Sequence, residues 1–105
     1  MTTAQQLLAR SAGKQPESAI LDQCRAYLRM KGWFVVRQQQ GIGCHKGVSD
    51  LIAIRNRRVV FAEIKTAKGK LSEHQMGFRH DVTEHGGEYV VWRSLEDLLA
   101  WEKTS

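Results

Sequence analysis

From Pro16 to Lys31, apolar residues recur three and four positions apart. Ile20, Cys24, Tyr27 and Leu28 share one face, with Leu21 at its margin. The pattern predicts a helix opened by Pro16 and ended by Gly32. Trp33–Arg37 reads as a first strand, with Gln38-Gln39-Gln40 continuing it or starting a loop. Two runs rich in Val, Ile and Phe, from Gly47 to Ile54 and from Val59 to Lys65, flank Arg55-Asn56-Arg57-Arg58 and predict a β-hairpin. After a basic turn, Thr66–Lys70, the period returns to that of a helix. Gln75, Phe78 and Val82 fall on one face, Ser72 and Gln75 form a capping-box pattern, and Gly86-Gly87 ends the element. Glu88–Trp92 is a last strand. Ser94 and Asp97 cap a final helix whose apolar side is Leu95, Leu98, Leu99 and Trp101. Helix, three strands, helix, strand, helix is an α/β order, a small mixed sheet flanked by helices.

Ahead of this pattern, Gln5–Arg10 could form a short helix and Ser11–Lys14 reads as a linker. Residues 1–15 are therefore expected to be an extension and 16–105 one domain. At 105 residues the chain has the size of a single domain. A domain this small buries only about two-thirds of its unfolded surface, so it gains from self-association.

The net charge of +5 favours a polyanionic partner. The cations are concentrated: Arg37, Lys46, Arg55, Arg57, Arg58, Lys65, Lys68 and Lys70 fall in or beside the hairpin and its loops. Cys24 and Cys44 form no CxxC pair, which points to a reducing compartment, and the cytoplasm is the expected location. No apolar run is long enough to span a membrane, and the N-terminus lacks the apolar core of a secretory signal.

The chemistry concentrates in the hairpin. Asp50 opens its first strand, and Glu63 and Lys65 close its second. Side chains alternate along a strand, so Glu63 and Lys65 share a face with Val59 and Phe61. Antiparallel pairing brings Asp50 beside Glu63 and Lys65. Crowded carboxylates repel one another, and burial makes ionising them costlier. A divalent cation reverses that cost, and Mg²⁺ is commonly held by one or two carboxylates with water and substrate phosphate. Lysine adds a point charge for a phosphate or an attacking water. The competing reading is a strand-capping Asp50 and a surface Glu63–Lys65 ion pair. Glu17 suits the first turn of its helix by dipole complementarity alone, and Gln75 suits capping alone. The stretch Gly41-Ile42-Gly43-Cys44-His45-Lys46-Gly47 is not a nucleotide-binding loop, because a strand follows it where a helix is required. It reads as a flexible basic loop approaching a phosphate backbone. Cys44-His45 lacks a second Cys/His pair at zinc-site spacing.

Gly47-Val48-Ser49-Asp50-Leu51-Ile52, then Phe61-Ala62-Glu63-Ile64-Lys65, then Gly69-Lys70-Leu71-Ser72-Glu73-His74-Gln75, resemble the VRR-NUC branch of the PD-(D/E)XK nuclease superfamily. Gly87–Ser94 resembles its closing strand. The Asp…Glu-x-Lys spacing is weak evidence alone, and the Leu71-Ser72…Gln75 segment in order makes it specific. Ser49 stands where the superfamily name has proline, a position that shapes backbone and binds no metal. The resemblance implies a restriction-endonuclease-like αβββαβ core and a Mg²⁺-dependent DNA endonuclease, with Mn²⁺ able to substitute. It implies Asp50, Glu63 and the Ile64 carbonyl as metal ligands, Glu17 beside the metal, directly or through water, and Lys65 at the nucleophile. Gln75 would orient water or phosphate. Arg37, His45, Lys46, Lys68 and Lys70 are the expected DNA contacts. The products would carry a 5′-phosphate and a 3′-hydroxyl. Small stand-alone members are associated with phages and bacteria and resemble dimeric Holliday-junction resolvases of DNA repair. A homodimer acting on a branched or four-way junction is therefore the expected form. The alternative is a non-catalytic nucleic-acid-binding module, or a nuclease subunit active only within a larger assembly.

Overall fold

The computed structural model describes residues 15–39, 41 and 43–105. The short helix expected at Gln5–Arg10 lies outside them. Among the described residues there are three helices, α1 (Glu17–Met30), α2 (Glu73–Glu84) and α3 (Leu95–Thr104). Four strands, β1 (Phe34–Arg37), β2 (Leu51–Arg55), β3 (Arg58–Ile64) and β4 (Glu88–Trp92), form one sheet in sequence order. The pairs β1–β2 and β2–β3 are antiparallel and β3–β4 is parallel, so the sheet is mixed, as the α/β reading requires. The parallel pair follows from α2, which carries the chain back to the same end before β4 begins.

The hairpin turn is two residues long. Asn56 (φ 49°) and Arg57 (φ 68°) both take left-handed backbone, the geometry that follows the twist of the flanking strands. Pairing therefore runs through Arg55↔Arg58, one residue further than the hydrophobic pattern suggests. At its other end β2 begins at Leu51 rather than Gly47, because Gly47 has a positive φ of 77° that interrupts extended chain.

Alternation along the strands divides the sheet into two faces. Val35, Leu51, Ala53, Val60, Ala62, Ile64 and Trp92 are buried on the face covered by α1 and α3. They close a core with Ile20, Leu21, Cys24, Leu28, Leu95 and Leu98. Full burial of each large side chain contributes about 1.5–3 kcal/mol. Cys24 is part of this packing, and burial pushes its thiol up to about 12, which leaves it inert as a nucleophile. Trp33 lies just ahead of β1, packed against Trp101 at 5.9 Å. The opposite face carries Phe34, Val36, Ile52, Ile54, Val59, Phe61, Glu63, Tyr89 and Val91. Helix α2 covers its β3–β4 half, with Phe78 against Phe61 (5.6 Å) and Tyr89 (6.2 Å). The β1–β2 side near the hairpin turn is open, and Phe34, Ile54 and Val59 form one exposed cross-strand row.

Candidate active site

The site lies where β1 and β3 end, β2 begins, and α1 and α2 start. Register places Leu51 opposite Ala62, which sets Asp50 across from Glu63 at the end of the two central strands. Asp50 Oδ2 accepts a hydrogen bond from the Ile64 amide at 2.8 Å, so its orientation is fixed by the backbone of the neighbouring strand. Ser49, in the proline position, is buried and donates from its hydroxyl to the Leu51 carbonyl at 3.0 Å. A side-chain hydrogen bond thus shapes the backbone leading into Asp50.

Glu63 is 1% exposed. A buried carboxylate on a sheet is expensive unless something compensates it. Its Oε2 accepts from Gln75 Nε2 at 3.3 Å. Its Oε1 is buried and has no hydrogen-bond partner. Burial, hydrogen bonding to Asp50, and the charges of Asp50 and Glu17 hold the Glu63 carboxyl well above the usual carboxylate range, and Lys65 opposes them. Two carboxyl groups can share a hydrogen bond only when one of them holds a proton. Glu17, in the first turn of α1, is near enough for its charge to act on Glu63.

Gln75 caps its helix and also touches Glu63. Its Oε1 accepts from the Ser72 amide at 2.8 Å, completing a capping box with Ser72 Oγ, while Nε2 reaches Glu63. The start of α2 is held in place from below by Gly47. A Cβ there would lie 2.1 Å from the His74 carbonyl oxygen and 2.8 Å from the Gln75 nitrogen, so only glycine permits the contact.

Lys65 follows β3 directly and donates from its amide to the Trp92 carbonyl at 3.1 Å. The turn after it is clamped by Arg93, whose Nη1 donates to the carbonyls of Thr66 (2.7 Å) and Gly69 (2.5 Å). Lys68 and Lys70 are exposed on this turn. Lys46 is exposed on the loop between β1 and β2, and Arg37 is exposed where β1 meets that loop, so these four cations all leave the same end of the sheet. His45 is exposed but packs its ring edge against Phe78 at 5.5 Å, which ties the loop to α2. The turn arginines stand elsewhere. Arg55, Arg57 and Arg58 lie at the opposite end of the hairpin, about 17 Å from Asp50 at ~3.3 Å per residue. Arg58 is engaged by Glu88 (2.8 and 2.7 Å) and stacks over Trp101 at 4.7 Å. That part of the basic cluster reads together in sequence and separates in space.

Sequence pattern gave no role to Arg93 or Tyr89. A lone arginine after an apolar strand carries no spacing signal, and tyrosine in such a strand reads as core.

Among the described residues no group of three or more His, Cys, Asp or Glu side chains is arranged to hold a metal ion. What the site offers is a pair of carboxylates, one with an unpartnered buried oxygen, with Lys65 close enough for its charge to act on them. That donor set suits Mg²⁺, which keeps several waters and needs only one or two carboxylates. The class of this domain is given by the family comparison, and it is a nuclease domain. Residues 4–96 match the VRR-NUC domain model, and the chain belongs to that family. No curated protein matches the chain.

Proposed function

We propose that this nuclease is a divalent-cation-dependent DNA endonuclease, selective for branched DNA such as a four-way junction and acting as a homodimer. The observation that carries the reading is the buried Glu63 carboxylate, one oxygen of it without a hydrogen-bond partner, with Asp50 close enough to raise its pKa. Neither a binding module nor a subunit with a structural role has use for such a pair.

Asp50, Glu63 and the Ile64 carbonyl would hold Mg²⁺ or Mn²⁺, with Glu17 reaching the ion through water. When bound there, a divalent ion would supply Lewis-acid polarisation of the scissile phosphate and make water a better nucleophile. The Ile64 amide and the Gln75 side chain fix the two carboxylates, so little reorganisation is needed when substrate arrives. Lys65 positions the attacking water and stabilises charge that develops on the phosphate oxygens. Water oxygen bonds to phosphorus, the bond to the 3′-oxygen breaks, and that oxygen takes up a proton. The products are a 5′-phosphate and a 3′-hydroxyl. Arg37, His45, Lys46, Lys68 and Lys70 approach the phosphate backbone.

Selectivity for shape is supported by the absence of a separate reading helix or zinc module among the described residues. A two-fold dimer supplies the two identical sites that paired incisions need, and the exposed row Phe34, Ile54 and Val59 is the kind of face that self-association covers. Among the described residues no helix is long and apolar enough to cross a membrane. A cytoplasmic location is supported by Cys24 and Cys44, which form no disulfide.

Labelled four-way junction, flap and linear duplex, each with Mg²⁺, Mn²⁺ or Ca²⁺, test the reading. Cutting is expected with Mg²⁺ or Mn²⁺ and junction preferred, with binding alone in Ca²⁺. Lys65→Ala should cut about 100- to 1,000-fold more slowly and Asp50→Asn should be inactive, both still binding DNA. Cleavage without metal, or variants as active as wild type, overturns it. A sedimenting monomer that still cuts junctions symmetrically overturns the dimer.

A further inference from the structure

Tyr89 pairs with Phe61 across the parallel β3–β4 ladder, so its side chain stands on the face that carries Phe61 and Glu63. Glu63 is one pleat further along, opposite Val91, within reach of a tyrosine on the diagonal. Phe78 of α2 covers the Tyr89 ring, one turn from Gln75, which holds Glu63. Beneath this helix are two buried polar atoms with no hydrogen-bond partner, the Tyr89 hydroxyl and Glu63 Oε1. The hydroxyl is a donor, and Glu63 Oε1 becomes an acceptor once Glu63 is ionised, as a bound cation requires.

A buried hydroxyl without a partner costs stability, and phenylalanine would fill the same space more cheaply. The hydroxyl is therefore unaccounted for by the fold without an ion. The groups acting on it are known. Burial raises its pKa most, the charges of Glu63 and Asp50 raise it further, and Arg79 of α2 opposes them.

We propose that Tyr89 is a positioning residue for the metal centre, its hydroxyl donating, directly or through one water, to Glu63 in the arrangement that holds a divalent cation. This rests on the proposed metal role of Asp50 and Glu63. Ligating carboxylates are held by such outer partners, whose loss typically weakens metal binding 10- to 100-fold. Gln75 steadies one oxygen of Glu63, and Tyr89 steadies the other.

The test is calorimetric titration of MnCl₂ into the full chain without DNA, alongside thermal unfolding without metal. Tyr89→Phe should bind Mn²⁺ about 10-fold more weakly, while unfolding without metal at the wild-type temperature or above it. Tyr27→Phe changes the other of the protein's two tyrosines, whose hydroxyl donates to Glu102, and should leave Mn²⁺ affinity unchanged. Unchanged affinity in Tyr89→Phe, with Asp50→Asn losing binding, overturns the role of Tyr89 alone. Wild type that takes up no Mn²⁺ overturns the metal reading and this inference together.

Discussion

Glu63 is the residue at which fold and chemistry pull in opposite directions. An unfolded glutamate ionises near pH 4.3. In the fold, burial and the neighbouring Asp50 keep the proton on well above that. Between the two values the native state holds a proton that the unfolded chain has released. Stability without metal should therefore fall as pH rises from about 5 to 8, by at most about 1.4 kcal/mol per pH unit. Saturating Mn²⁺ should flatten the dependence, since the ion replaces the proton. Glu63→Gln should flatten it as well and raise stability at pH 8. Urea unfolding at several pH values, with and without Mn²⁺, measures all three. A wild-type curve that rises with pH would contradict the sign. The identity and pairing of Asp50 and Glu63 were legible in sequence because strand alternation and hairpin register suffice to place them. The full burial of Glu63 was not, because it depends on α2 lying over that face.

At the scale of elements, the contact between the β1–β2 loop and α2 governs the site. The glycines of this loop read as flexibility toward a phosphate backbone. Gly47 instead serves close packing: it is buried, and the backbone of His74 and Gln75 occupies the space where a side chain would begin. Two elements distant in sequence meet there, and no local pattern reports such a meeting. Gly47→Ala must push the first turn of α2 away, in addition to straining a left-handed backbone. Gln75 would then leave Glu63. The variant should lose about 1–3 kcal/mol of stability and cut at least about 10-fold more slowly, whereas Gly43→Ala, with nothing near its missing Cβ, should lose only the smaller backbone term. Denaturant midpoints and single-turnover cleavage separate the two effects. The helices and strands themselves were legible from period and caps. Ser72–Gln75 and Ser94–Asp97 form the expected capping contacts, and the boundaries that shifted did so at Gly47 and at the Asn56-Arg57 turn, where backbone sign and not hydrophobicity decides.

Across the whole molecule, charge is divided between two ends of one sheet. Lys46, Lys65, Lys68, Lys70, Arg37 and Arg93 gather where the carboxylates lie. At the other end Arg58 is held by Glu88 and Trp101, so its charge is largely satisfied within the protein. Glu88 in turn titrates lower than usual because that guanidinium is bonded to it. A net charge of +5 conceals this polarity, since counting along the chain puts the turn arginines beside Asp50 and Glu63. On the proposed reading, the polarity sets which cations would displace counterions from DNA. Lys68→Ala and Lys70→Ala should each lower the slope of log affinity against log salt by about 1, uniformly across DNA sequences. Arg57→Ala should leave the slope within error, since it lies at the end of the hairpin opposite Asp50 and Glu63. Arg93→Ala should act like a partial loss of both lysines, because the carbonyls of Thr66 and Gly69 lose the clamp that presents their turn. Fluorescence anisotropy on a junction in Ca²⁺, between 50 and 300 mM salt, reads these slopes without cleavage. Equal slopes for Lys68→Ala and Arg57→Ala would mean that DNA meets the protein at a different face from the one carrying Asp50 and Glu63.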